Sequence, residues 1–454
     1  MLRRDFLART AVALAGGALG PRLLGAAAPP AGAPPDFFAR FPACTDFEGI
    51  VPIVRVATDR IIHRFFDTSP ISPSGRYVAL FRLPNEVRPP QPGETGEVVL
   101  VDLETGRERT VAESRGWETQ MGANVQWGAT DADLFFNDVD PRTWTPFAVQ
   151  LNPATGISRR LEGTVFTVSP DGRYLTSYNL VSSRLIQVGY GVVLPEEHTP
   201  RNRGPVAHDG LFLTDIATGK QRLIASIRDI YERAVPKLQI DQPERYEFYC
   251  FQIRWNPQGT RLMAFVRWAD PTGPRTGPRR LTLVTLKPDG SDIRLAVTPE
   301  QYARGGHHPM WTPDGENITI NLNIRDDTKD LDLVQVRYDG TNLHSLHPIG
   351  SGHPSMHRSL PFIVTDAYPR EPITRGDGTA PLRLIDLRNK SDTTLAQVNL
   401  TRQAGPATAE HRIDAHPVWD RTGRYVVFNG VYNDTRSVFI ADVGPWMADT
   451  MARS

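Results

Sequence analysis

The fold this sequence predicts is all-β: a seven-bladed β-propeller with four-stranded antiparallel blades and an N-terminal signal segment. Three observations predict it. A unit of two hairpins recurs seven times. Glycine and proline, 37 and 39 of the 454 residues, are spread along the chain as many turns require. A His-Pro-x-bulky phrase returns in phase in the last three units, at His308, His353 and His416.

The first hairpins read DTSPISPSGRYVALFR, ANVQWGATDADLFFND, FTVSPDGRYLTSYN, QIRWNPQGTRLMAFVR, HPMWTPDGENITINL, HPSMHRSLPFIVTDAY and HPVWDRTGRYVVFNG. Each is a short run, a turn rich in Pro, Asp and Gly, and a run with alternating apolar residues, the pattern of paired strands. The second hairpins are VVLVDLETGRERTVA, FAVQLNPATGISRRL, LFLTDIATGKQRLIA, LTLVTLKPDGSDIRLA, LVQVRYDGTNLHSL, LRLIDLRNKSDTTLA and the shorter SVFIADV. The last unit lacks a fourth strand, which the segment Val51 to Ala57 is expected to supply, closing the ring. The propeller therefore spans 51–446, with a tail at 447–454 and insertions near 184–210 and 226–250. SIRDIYERAVPKL in the second insertion reads as a short helix ended by Pro236. Such insertions shape a cleft on one face.

Residues 1–28 read as a twin-arginine-type signal peptide. Arg3 and Arg4 precede Phe6 and Leu7, an Ala/Gly-rich run, and small residues around Ala26 to Ala28 that suit cleavage. Residues 29–50 read as a linker. The expected location is periplasmic or secreted, with no membrane association after cleavage, since no other segment is long and apolar enough to span. Lys+Arg and Asp+Glu balance at 51 each, which argues against nucleic acid as a partner. Two cysteines, Cys44 and Cys250, make no disulfide framework or metal knuckle.

In a propeller the first strand of each blade lines the central channel. The matching positions at the start of that strand are Thr68, Asn124, Val165, Gln252, His308, His353 and His416. Three imidazoles in consecutive blades should converge there. The proline after each fixes how the chain enters the strand. Asp414 and His416 share one face of an extended strand, His411 lies just before them, and His307 precedes His308. A nitrogen and oxygen donor set without thiolate suits a divalent metal, and the carboxylate favours a hard ion such as Mn²⁺. Arg254, Arg267, Arg304 and Arg375 lie in or beside channel-facing segments, where guanidinium forks suit carboxylates. Tyr368 ends a channel-facing hairpin. Trp127, Trp255, Trp311 and Trp419 recur in register and read as inter-blade packing.

These motifs resemble the oligogalacturonate lyase family of polysaccharide lyases, seven-bladed propellers with a histidine-bound Mn²⁺ in the channel. HPMWTPDG is similar to the family's His-x-x-Trp-x-Pro-Asp-Gly, so the resemblance implies a metal role for His308. HRIDAHPVW is similar to its Gln-x-x-His-Pro-His-Pro, with His411, Asp414 and His416 at the glutamine and the two histidines, so the ligands the resemblance implies are His308, His411, Asp414 and His416. HRFF at His63 resembles an early His-Arg phrase, and His353 matches a channel histidine. The family's base falls at Arg267 here, so the base or the substrate differs. The implied reaction is β-elimination on a uronate-containing oligo- or polysaccharide. The base candidates are His63, His307 and His353, with Arg267 and Arg304 on the carboxylate. Arg254, Tyr368, Gln252 and Asn124 are the further substrate-binding candidates. The competing class is a non-catalytic TolB-like periplasmic propeller that binds protein or glycan. A peptidase propeller is disfavoured by the lack of a GxSxG elbow.

Overall fold

A computed structural model describes residues 37–453 except 186, 273–279 and 404–408. The signal segment 1–28 and the first part of the linker lie outside the described residues. Seven four-stranded antiparallel sheets follow one another along the chain as blades. The first blade comprises Ile61–Ile62, Tyr77–Arg82, Gly96–Asp102 and Glu108–Ser114. The seventh comprises Val418–Trp419, Tyr425–Tyr432 and Thr435–Asp442, with Ile53–Ala57 paired to the last of these as the outer strand. The seventh blade is therefore completed by chain from both ends, which ties the start of the ring to its finish.

Alternation in each strand puts apolar side chains on both sheet faces, against the neighbouring blades. In the fourth blade, Leu262–Ala269 and Arg280–Leu286 are buried almost throughout. The Pro-Asp-Gly turn of the fifth blade shows how blades register at the turn side. Asp314 accepts from Thr312 Oγ1 and from the backbone N–H of Glu316 and Asn317. Gly315 has φ +69°, left-handed backbone that glycine adopts without strain. Its carbonyl accepts from Asn256 Nδ2 at 3.1 Å.

Three of the four recurring tryptophans hold the seams as the register predicts. The indole N–H of Trp127 donates to Pro70 O at 2.9 Å, that of Trp311 to Arg254 O at 3.3 Å, and that of Trp419 to Ser355 O at 3.0 Å. Each acceptor belongs to the inner segment of the preceding blade.

The second insertion contains the helix Ile227–Arg233, started by a capping box between Ser226 and Asp229. It is shorter than expected. The innermost strand of the fourth blade already begins at Glu247, because Glu247 to Phe251 pair with Phe265 to Ala269. The expected tail is part of the helix Gly444–Ala452, which buries Met447. Cys44 and Cys250 are both free thiols. No helix among the described residues is long and apolar enough to cross a membrane.

Candidate functional site

The innermost strands begin with a repeated irregularity. Asn124, Gln252, His308 and His416 all adopt left-handed backbone, with φ of 55°, 54°, 57° and 50°. In the fourth blade the pairing slips between Phe251 and Arg254, and in the fifth between His307 and Met310. These are β-bulges that turn one side chain out of the sheet toward the axis. A left-handed non-glycine residue costs ~1–2 kcal/mol, tolerated best by Asn and His, and such strain concentrates at working sites. The sixth blade differs. Its left-handed residue is Gly352, with φ +61°, and a Cβ there would meet Asp366 O at 2.1 Å. His353 consequently follows the left-handed residue and turns toward Asp366.

The three in-register imidazoles do converge. His308 and His353 have ring centroids 3.9 Å apart, and His353 and His416 stand edge to face at 4.4 Å. Ligand atoms of His353, Asp414 and His416 all lie within 4.8 Å of one another, and all three residues are buried. His353 Nδ1 lies 2.9 and 3.0 Å from the carboxylate oxygens of Asp366, whose Oδ1 also accepts the His353 backbone N–H at 2.6 Å. That fixes the protonated nitrogen and leaves Nε2 toward the cluster. His353 Nε2 and both ring nitrogens of His416 are buried with no hydrogen-bond partner. Burial, followed by the neighbouring imidazoles of His353 and His63, holds His416 well below the ordinary histidine pKa.

His307 and His308 retain partial exposure at the mouth. His308 Nδ1 lies 2.7 Å from Gly352 O and 2.8 Å from His307 Nδ1, while its Nε2 is 3.4 Å from Tyr368 Oη. Burial first, then the His353 and His307 imidazoles, push the His308 pKa well down, so the ring is neutral at pH 7. Burial pushes the Tyr368 phenol well up, keeping it protonated.

Beneath the histidines the channel is filled. In the first blade Ile62 pairs with Phe81, yet the next ladder contact is Ala79 N–H to Pro70 O. The residues between make an excursion into the axis. Phe65 and Phe66 are wholly buried against the rings of His308 and His353, and Phe65 also packs on His416. Below them Asp67 is held by Arg64 and by Arg254 Nε, the latter at 2.7 Å. Asn124 accepts from Arg64, and Gln252 from Arg254 Nη2. Thus Asn124, Gln252 and Arg254, expected on substrate, belong to a buried network under the phenylalanines. His63 is also fully buried, its Nε2 3.4 Å from Ala415 O, and burial lowers its pKa to about 4. It does not face the mouth as a base must.

The first insertion forms part of the upper wall. Gln187 accepts from the Arg267 guanidinium, which also lies over the rings of Phe251 and Phe265. Arg304 is exposed and paired with Asp326 at 2.8 Å, and Arg375 pairs with Glu48 at 2.7 Å. Arg412, absent from the sequence expectations, donates from Nε to Asp414 at 3.0 Å and from Nη2 to Tyr190 Oη at 3.4 Å. Its signal was its place in HRIDAHP, two residues before Asp414. His411, expected as a ligand, lies outside the His353–Asp414–His416 group. Burial and then the Arg436 charge lower its pKa to about 4.

The donor set fits a divalent cation. Two imidazoles, each with an unpartnered ring nitrogen, converge with a carboxylate in a buried site, and Asp366 orients one of them as outer carboxylates orient metal-bound histidines. Of the four ligands expected, Asp414 and His416 are in the group, His308 adjoins it, and His353 stands in place of His411.

No protein-family model matches the chain, and no curated protein matches it. Solved structures do. An oligogalacturonate lyase in complex with manganese is similar over 88% of this chain and 96% of its own, at 14% identity and TM-score 0.57. The oligogalacturonate lyase of Vibrio parahaemolyticus is similar over 89% and 98%, at 15% identity and TM-score 0.57. The propeller domain of the Trilobed protease from Pyrococcus furiosus is more distant, at 12% identity and TM-score 0.46 over 84% and 96%. The chain thus shares the seven-bladed fold of the oligogalacturonate lyases.

Proposed function

We propose that this protein is a metal-dependent lyase that cleaves a uronate-containing oligo- or polysaccharide by β-elimination, leaving a 4,5-unsaturated uronate. The observation that carries the reading is the buried convergence of His353, Asp414 and His416 with unpartnered imidazole nitrogens. A solved protein of the same fold that holds manganese, and a donor set of nitrogen and oxygen, support Mn²⁺ as the ion.

His353, Asp414 and His416 would hold it. When bound, the ion supplies positive charge that neutralises the uronate carboxylate and acidifies the C5 hydrogen. Arg412, anchored on Asp414, adds a guanidinium for the same carboxylate. His308 Nε2 is the base: neutral at pH 7, partly exposed, and held by the Gly352 carbonyl with Nε2 outward. The C5–H electrons form the C4=C5 bond and the C4–O pair departs with the oxygen. Tyr368, protonated and 3.4 Å from His308 Nε2, donates the proton to that oxygen and regains one from His308. Export to the periplasm through the twin-arginine-type segment would place the enzyme with extracytoplasmic glycans.

The test is the ultraviolet absorbance of an unsaturated uronate, followed on a panel of uronate glycans with Mn²⁺ present. The expected result is metal-dependent product from at least one. No product from polygalacturonate, alginate, ulvan or rhamnose–glucuronate substrates by metal-loaded protein would overturn the reading.

A further inference from the structure

The fourth blade breaks the seam rule that the other tryptophans obey. Each seam acceptor lies two residues past the register position of its blade: Pro70 after Thr68, Arg254 after Gln252, Ser355 after His353. For Trp255 the corresponding acceptor is Thr167 O, two past Val165. That carbonyl instead takes the hydroxyl of Thr176 at 3.3 Å, and the Trp255 indole N–H is buried without a partner.

Beside this place the turn-side end of the channel opens into a cavity of about 200 Å³, lined from the first, third, fourth and fifth blades. Thr167, Val168 and Trp255 line it, with Met310 and Trp311 opposite and exposed Pro170 and Pro257 at the rim. It lies at the turn ends of the innermost strands, whereas the histidines stand at their beginnings, so the phenylalanine plug separates the two.

Arg254 and Asp67 also line the cavity. Both oxygens of Asp67 are occupied, one by Arg64 and one by Arg254. Two guanidinium charges therefore meet one carboxylate, and Arg254 Nη1 is buried with no acceptor. Neighbouring Glu118 does not offset the surplus, since burial raises its pKa to about 8. A buried net cation with an unpartnered donor is costly unless a counter-charge reaches it.

We propose that this axial cavity binds a small monocarboxylate, its oxygens taking the Trp255 indole N–H and the Arg254 guanidinium and its apolar end lying against Met310 and Trp311. The volume corresponds to about seven waters at ~30 Å³ each, which suits an acid of a few carbons and excludes an oligosaccharide. An inorganic anion would satisfy the charge and leave the apolar wall unused.

The test is titration of the full chain with propionate and, separately, with chloride, reading the Trp255 indole N–H resonance by NMR. A saturable shift of that resonance is expected with propionate, equal in metal-loaded and metal-free protein. Trp255→Phe, followed through the Trp311 resonance, should weaken binding about tenfold, the value of one hydrogen bond. Val168→Phe, which fills the cavity from a partly exposed position, should abolish it while the melting curve shows a folded protein. No saturable shift with propionate overturns the proposal. So does chloride binding as tightly as propionate, or binding that survives Val168→Phe.

Discussion

Asp366 grips His353: both its carboxylate oxygens lie within 3.0 Å of His353 Nδ1, and the pair is wholly buried. An imidazole so held presents Nε2 with its lone pair free and its ring direction fixed. Asp366→Asn would keep the shape but replace a charged acceptor by a neutral one. Outer-shell substitutions of this kind lower metal affinity about 10–100-fold. Mn²⁺ binding followed by electron paramagnetic resonance checks this, and an unchanged affinity would separate His353 from the metal.

The two histidines of the HRIDAHP segment should behave oppositely. His416→Ala removes a converging donor and should leave purified protein with little bound metal. His411→Ala should retain near-stoichiometric metal, because His411 stands among Arg436, Glu410, Arg402 and Arg184 rather than in the cluster. Elemental analysis of both variants is the measurement.

Stability should depend on pH through Glu118. Its ordinary pKa is 4.5 and burial raises it to about 8, so the folded state holds a proton the unfolded state has released. That contribution is fully present below pH 4.5 and is lost as pH rises through 8, on the order of a few kcal/mol in total. Gly191 N–H donates to the carboxyl, a contact a glutamine carbonyl can accept. Glu118→Gln should therefore match the parent near pH 5 and exceed it in chemical denaturation near pH 8.5.

Phe65 fills the axis under three histidine rings. Phe65→Ala should cost about 3–5 kcal/mol, the usual penalty for a core phenylalanine cavity. It should also loosen the ligand geometry, seen as a fall in Mn²⁺ affinity together with the fall in denaturation midpoint.

For turnover, Tyr368→Phe and His308→Ala should each lower kcat roughly 10²–10⁴-fold, with smaller changes in KM, as expected for groups that move protons. Since His308 is held well below the usual histidine pKa, parent activity should stay flat between about pH 6 and 8 on that limb.

The propeller was legible because its signals are local and repeated: turn phrases, alternation, and the Trp and His positions in phase. The closing strand was legible by subtraction, from a unit one strand short. The meeting of His308, His353 and His416 followed from register alone. What register hides is the direction of each side chain. The left-handed residue is His308 in the fifth blade and His416 in the seventh but Gly352 in the sixth, and that one-residue shift turns His353 onto Asp366. The excursion carrying Phe65 and Phe66 breaks the repeat, so periodicity is silent about it. The Arg254–Asp67 pair joins segments far apart in the chain, which is why Arg254 read as a substrate ligand rather than as part of a buried network.

Anomalous diffraction at the manganese edge, on crystals of Mn²⁺-loaded protein, tests the arrangement most directly. A single strong peak bounded by His353, Asp414 and His416 is expected. A peak at His411, or none at the channel histidines while the protein carries stoichiometric manganese, would contradict it.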